Sequence, residues 1–198
     1  MHSDIIALYQ SVTFLYIPSD IIQLDTQGEK MQYIQYYNSP ISKLVMIGNQ
    51  TSLTGLWFAS QNNILRAMSE EYQEQSLPVF EETETWLDIY FSGKAPNFTP
   101  PLSIESTPFR KMVWELLLTI PYGTTMTYGQ IAKIIMRKTG KNTMSAQAVG
   151  QAVGHNPISI IIPCHRVMGA NGSLTGYAGG IDIKMKLLQL EHIIHTIP

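Results

Sequence analysis

A single cysteine, Cys164, leaves no partner for an internal disulfide, and no cluster of cysteine and histidine has the spacing of a zinc site. No apolar run approaches the ~18 residues that a membrane helix needs. The N-terminus lacks the basic stretch of a signal peptide, and Asp4 and Asp20 interrupt its two apolar patches. Charge is scarce at 14% of residues, but 44% are hydrophobic, which suits ordinary globular cores and argues against disorder. These absences point to a cytoplasmic, metal-free protein without a membrane segment. Its 198 residues fit one large domain or two small ones.

The net charge of −2 conceals a division. Residues 1–92 hold 3 Lys/Arg against 11 Asp/Glu, a balance of −8, whereas residues 93–198 hold 10 against 4, a balance of +6. Binding to an anion needs local positive potential rather than a positive total. The asymmetry therefore suggests an acidic first half beside a basic half that touches an anion. The alternative is that both halves are simply solvated.

The first half reads as short strands followed by helix. Met31 to Tyr37 and Lys43 to Ile47 are rich in strand formers and flank the turn Asn38-Ser39-Pro40, and Leu53 to Phe58 is a third strand. Residues 62–74 and 78–91 read as helices, the second carrying Phe80, Trp86, Ile89 and Tyr90 at spacings that form one face. Ser92 to Ser103, with Gly93, Pro96, Pro100 and Pro101, has no periodicity and reads as a linker. The expected division is 1–92, a linker over 93–107, and 108–198.

The second half opens with a helix from Phe109 to Ile120, ended by Pro121-Tyr122-Gly123. Thr127 and Gln130 form a capping-box pattern for a helix that stops near Gly140, and Ser145 can cap another ending near Gly154. Two short helices joined through a glycine-containing connection resemble a helix-turn-helix. The second is made of small residues: Ala146, Ala148, Gly150, Ala152 and Gly154. Such residues suit either tight packing on a neighbouring helix or insertion into a DNA groove.

Cys164 follows the apolar segment 160–162 and Pro163, and adjoins His165. A lone cysteine can be an inert small hydrophobe. A thiol beside a histidine can instead be a nucleophile, provided a base or an electropositive setting raises its thiolate fraction.

The string Pro163-Cys164-His165-Arg166-Val167 resembles the active-site signature of the O6-alkylguanine-DNA alkyltransferases, the methylated-DNA–protein-cysteine methyltransferases. The resemblance runs from about Ser92 to Glu191, through Pro121-Tyr122-Gly123, Thr127-Tyr128-Gly129-Gln130, Asn156-Pro157 and Tyr177-Ala178-Gly179-Gly180. It is weaker in the first half, at Ser39-Pro40-Ile41 and Leu53-Thr54-Gly55-Leu56-Trp57-Phe58, and residues 1–30 match nothing.

The resemblance implies an α+β chain: a ribonuclease-H-like sheet-and-helix domain, then a mostly helical domain with a helix-turn-helix. It implies irreversible, single-turnover transfer of an alkyl group from O6-alkylguanine, with acceptance of O4-alkylthymine left open, in double-stranded DNA to Cys164. The damaged base is rotated out of the stack to be reached. No cofactor or metal is expected, and a monomer is the expected state.

Catalytic roles are implied for Cys164, for His165 as base through a water, for Glu191 as the group orienting His165, and for Asn156 as the tie between the DNA-binding helix and the active-site loop. Tyr128, Val167, Tyr177 and Lys184 are implied around the base, although Lys184 reads equally as an exposed lysine. Tyr128, Gln147, Ala146, Gly150 and Arg166 are implied on the DNA side, although Arg166 reads more readily as half of a structural ion pair.

Three departures accompany the resemblance. Gln147 stands where the family often has an arginine that fills the space of the flipped base. About five extra residues fall near Arg137 to Thr143, and Ala178 stands where a serine is common. Two other functions compete with the transferase. A damage sensor that binds without chemistry would not need Cys164, and a cysteine hydrolase would need an oxyanion site that nothing else in the sequence suggests.

Overall fold

The computed structural model describes residues 31–61, 64 and 71–194, which belong to one compact unit. Strands β1 (Gln32–Asn38), β2 (Lys43–Gly48) and β3 (Leu53–Phe58) form an antiparallel meander within one residue of the sequence expectation. Ser39 stabilises the first turn by accepting from the Ile41 and Ser42 amides.

A fourth strand, β4 (Tyr72–Glu74), pairs parallel to β1 and completes the order β3-β2-β1-β4. This corrects the expectation of a helix over 62–74 at its C-terminal end. Three exposed residues carry too little apolar pattern to announce a strand, and pairing with the open edge of β1 decides their conformation. The rest of that expected helix, apart from the buried, helical Ile64, and all of residues 1–30 lie outside the described residues.

Helix α1 (Pro78–Phe91) begins with proline at its first position, where the missing N–H costs nothing. Val79, Phe80, Thr83, Trp86, Leu87 and Tyr90 make its buried face. The helix packs on the sheet and is pinned to β1 by Gln35–Glu84 and Tyr37–Asp88 hydrogen bonds, both 2.6 Å.

The outer edge of β3 is closed by two distant segments. The Leu53 amide donates to the Pro101 carbonyl (2.8 Å) and the Ser103 amide returns to Leu53 (2.9 Å). Three residues along, Leu56 donates to Pro157 (2.9 Å) and accepts from Ser159 (2.8 Å). Unpaired strand edges are satisfied in this way. The aperiodic stretch after α1 is thus held against the sheet, and so is the segment leading to Cys164.

In the second half, α2 (Pro108–Leu118) is capped by Thr107. The short strand β5 (Met126–Thr127) leads into α3 (Tyr128–Thr139), whose capping box is complete: Thr127 Oγ1 accepts from the Gln130 amide, and Gln130 Oε1 accepts from the Thr127 amide. Gly140, left-handed at φ 65°, ends the helix. Ser145 caps α4 (Ala146–Gly154) by accepting from Gln147 and Ala148.

The packing reading of the small residues in α4 is met on one face, and the other face is open. Val149, Ala152 and Val153 face inward, where Trp114 Nε1 donates to the Ala152 carbonyl (2.8 Å). Ala146, Gln147, Gln151 and Gly154 are exposed. Strand β6 (Val167–Met168) pairs parallel to β5, and α5 (Ile181–Leu190) ends the described fold apart from a short turn.

Gly55 has a packing reason visible only in three dimensions. A Cβ there would lie 1.9 Å from two carbons of the Trp57 indole, which folds back over it on the same face of β3. Gly55→Ala is expected to push that buried ring aside and to cost ~1–3 kcal/mol, as overpacking does. Chemical denaturation is the measurement, and an unchanged midpoint would show that the indole relocates freely.

Candidate active site

The chain reaches Cys164 through a tight loop built around Asn156. That side chain is buried at the end of α4, and its Nδ2 lies 3.1 Å from the Ile158 carbonyl, 2.8 Å from the Ile162 carbonyl and 3.0 Å from Cys164 Sγ. Its Oδ1 accepts from the Ile158 amide (3.0 Å). An amide nitrogen carries two hydrogens, so three acceptors share them, and one interaction points at sulfur. Within the loop Ile160 is fully buried with φ 69°, a left-handed conformation that β-branched residues avoid. The contacts on both sides of Ile160 hold this strain.

Cys164, His165 and Arg166 form one turn of 3-10 helix. Burial pushes the Cys164 thiol up from its usual range. The Asn156 hydrogen bond, the Lys184 charge and nearby backbone amides pull it back without reversing the shift. The resting group is therefore a thiol that needs a base. Its 5% exposure, taken alone, fits the inert alternative, but the groups around it do not.

Glu191, at the C-cap of α5, is 2% exposed and receives five donors. Oε1 accepts from His165 Nε2 (2.7 Å), Tyr90 Oη (2.8 Å) and Arg166 Nη2 (3.0 Å). Oε2 accepts from Arg166 Nε (2.8 Å) and the Gly123 amide (3.1 Å). Burial alone would raise this carboxyl, but His165 and Arg166 outweigh it and hold the pKa at about 2. Burial lowers His165, with Arg166 and Lys184 adding to the effect and Glu191 opposing it. At neutral pH the arrangement is Glu191 ionised, Arg166 as its counter-charge and His165 neutral. The short bond to Glu191 assigns the proton to Nε2, which leaves the buried Nδ1 as an acceptor with no protein partner among the described residues.

Two expectations change here. Arg166 is buried, with Nη1 donating to the Ile120 carbonyl (2.6 Å) and its other nitrogens committed to Glu191. The ion-pair reading fits this geometry, and burial turns the guanidinium toward Glu191 rather than outward to a phosphate. Lys184 is fully buried rather than exposed, and its Nζ donates to the carbonyls of Val167 (2.6 Å) and Thr175 (2.9 Å). It joins β6 to the loop before α5 and places a positive charge near the thiol. The Val167 side chain is itself buried in β6.

Tyr128, Ala146, Gln147 and Gly150 come together on one open hollow of about 670 Å³, with Thr127, Gly129, Gln151, Ala170, Thr175 and Gly176. The thiol lies outside this lining. A Cβ on Gly150 would stand 3.7 Å from the Tyr128 ring, in ordinary contact. Tyr177 holds its hydroxyl buried, approaching Ser159 without completing a hydrogen bond. Gly179 keeps that loop thin, since a Cβ there would meet the Tyr177 ring at 2.8 Å. No Asp or Glu occurs between Glu115 and Asp182, whereas Lys133, Arg137, Lys138 and Lys141 are exposed on α3 and the turn after it. Among the described residues no group of His, Cys, Asp and Glu could hold a metal ion, and no helix is long and apolar enough to cross a membrane.

Tyr90 and Gly123 carried no sign of this role in the sequence. On α1 Tyr90 follows the spacing of core residues, and only the packing of α1 against the second half brings its hydroxyl to Glu191.

Residues 32–104 match the family described as 6-O-methylguanine DNA methyltransferase, ribonuclease-like domain, and residues 108–193 match its DNA binding domain. A methylated-DNA–protein-cysteine methyltransferase of Methanosarcina acetivorans is 42% identical over 159 residues, covering 80% of this chain and 97% of that protein. The crystal structure of the Mycobacterium tuberculosis O6-methylguanine methyltransferase superposes with a TM-score of 0.69 at 41% identity, over 81% of this chain and 93% of that one. A crystal structure of the same organism's protein in complex with DNA gives 0.68 at 41% identity, over 80% and 92%. The cysteine turn, the buried His165–Glu191 pair and the helix-turn-helix thus sit in a chain that belongs to the methylated-DNA–protein-cysteine methyltransferase family.

Proposed function

We propose that this protein repairs O6-alkylguanine in double-stranded DNA by moving the alkyl group irreversibly to Cys164, once per molecule. The observation that carries this reading is a buried thiol, bonded by Asn156 and adjoining a neutral histidine whose outer nitrogen is held by an ionised glutamate.

In this mechanism His165 Nδ1 takes the thiol proton through a water. The Cys164 sulfur attacks the alkyl carbon in line, the carbon–oxygen bond breaks, and its electron pair goes to the guanine. Tyr128, whose hydroxyl burial keeps protonated, donates a hydrogen bond to the departing base as charge develops there. The product thioether has no leaving group under these conditions, so no turnover follows. Lys184 and Tyr177 shape the base pocket, and Lys184 acts through the carbonyls it holds. Ala146, Gln147 and Gly150 present α4 to the DNA. The basic turn after α3 supplies phosphate contacts, and the two halves divide at 93–107.

Intact mass spectrometry after incubation with a methylguanine duplex should show a gain of one methyl per protein, mapped to Cys164, and none in Cys164→Ser. Multiple turnover, or methyl on another residue, would contradict the mechanism.

The pH dependence follows from the base. Burial holds His165 below its ordinary 6.5, so the single-turnover rate should persist at pH 6.5 and fall only at lower pH as the ring protonates. Glu191→Gln should lower the rate of the folded protein by ~100-fold or more, the share of a general base. It should also cost ~3–5 kcal/mol of stability, because Arg166 is left buried without a counter-charge. A rate unchanged by Glu191→Gln would remove Glu191 from the reaction.

Gln147 projects from the exposed face of α4 and is proposed to fill the space of the flipped base. Its amide can donate to and accept from the orphaned pairing partner, but it brings no charge. Gln147→Gly should slow repair of duplex far more than reaction with free O6-methylguanine, since only duplex repair includes base flipping. Gln147→Arg should be tolerated and should steepen the salt dependence of DNA binding. Equal losses of Gln147→Gly on the two substrates would mean that this residue plays no part in flipping.

A further inference from the structure

We propose that Tyr90, on α1 of the sheet-and-helix half, is a positioning residue for alkyl transfer: its hydroxyl completes the hydrogen bonding of Glu191 and so sets how His165 is held. The inference rests on the proposed reaction and extends it to the half of the chain that carries none of the other reaction groups.

Three observations place Tyr90 there. Its hydroxyl donates to Glu191 Oε1 at 2.8 Å and lies 3.3 Å from His165 Nε2, so it touches both members of the pair. The ring meets His165 edge to face, with centroids 6.3 Å apart and planes at 75°. The ring is itself fixed, stacked on Trp86 at 5.4 Å and crossed by Phe91 and Tyr122. Tyr90 is fully buried, so its hydroxyl has no water to return to if the contact is lost.

The chemistry runs through the shared oxygen. Oε1 divides its negative charge among His165, Arg166 and Tyr90. Each additional donor weakens the hold of the carboxylate on the others. Without the Tyr90 donor, Glu191 should draw the His165 proton more strongly and favour the imidazolium, which cannot accept the thiol proton. The edge contact that limits rotation of the His165 ring would also lose its polar anchor. Charged and titratable groups from the other elements remain: Arg166, Lys184 and Cys164 beside His165, and Tyr122 and Tyr177 beside the Tyr90–Glu191 contact. None of them replaces a donor on Oε1.

The test is Tyr90→Phe, which removes one oxygen and keeps the ring. Tyr37→Phe is the control, since that hydroxyl donates to Asp88 of the same helix and does not touch Glu191. Imidazole NMR should show His165 in Tyr90→Phe titrating higher by roughly half a pH unit, as expected when a carboxylate loses a competing donor. Single-turnover transfer from a methylguanine duplex should be slower by ~3- to 10-fold at neutral pH, a fraction of the general-base share. Its acid limb should move up with His165, and the deficit should vanish at alkaline pH, where the thiolate forms without a base. In a His165→Asn background, Tyr90→Phe should cause no further slowing.

A merely structural tyrosine would leave the His165 titration in place and slow the reaction equally at every pH and in both backgrounds; that result overturns the proposal. Absence of any methyl on wild-type Cys164 would instead overturn the reaction, and the NMR titration would still decide whether Tyr90 sets the state of His165.

Discussion

A carboxylate taken out of water loses solvation worth several kcal/mol, and it stays ionised only if the protein replaces what water supplied. Glu191 is in that position, and five donors replace the water: two from Arg166 and one each from His165, Tyr90 and Gly123. These donors come from the cysteine turn, from α1 and from the turn between α2 and β5, while Glu191 itself ends α5. Satisfying one buried charge therefore fixes the mutual placement of four elements. The same arrangement leaves His165 neutral with one nitrogen free, which is the state a proton acceptor requires.

The cysteine loop is held from two sides by a comparable constraint. Asn156 ties the end of α4 to the loop carbonyls and to the sulfur, and the edge of β3 pairs with Pro157 and Ser159. Between these anchors Ile160 adopts a backbone conformation it would not choose alone. The thiol is thus carried on backbone fastened both to α4 and to the sheet. A displacement of either would be felt at Cys164.

Much of the fold was legible because its signals are local. Strand-forming runs around turns, the proline-led α1, the Thr127–Gln130 capping box and the Ser145 cap each depend on a few adjacent residues, and all lie where their patterns placed them. The segment 72–74 departs from its helical pattern because its conformation comes from pairing with β1, forty residues away, and not from its own residues. Lys184 and Arg166 show the same limit for side chains. A lysine on a terminal helix and an arginine beside a cysteine have the same sequence appearance whether they reach solvent or two buried carbonyls and a carboxylate.

By itself the sequence determined the chemistry available: one thiol, a histidine beside it, a basic second half, and a signature string long enough to identify the family. It also determined the order of helices that carries α4 outward. Tertiary structure alone decided which of these groups are coupled. Whether Cys164 is inert or poised depends on the Asn156 bond to its sulfur, the charge of Lys184 and the neutral His165, and whether Glu191 is a surface residue or the centre of the site depends on its burial. Electrostatic and hydrogen-bond energies change steeply with distance and with local dielectric. Neither quantity is written in the spacing of residues along a chain, so a tyrosine patterned as core ends in the hydrogen bonding of a buried carboxylate.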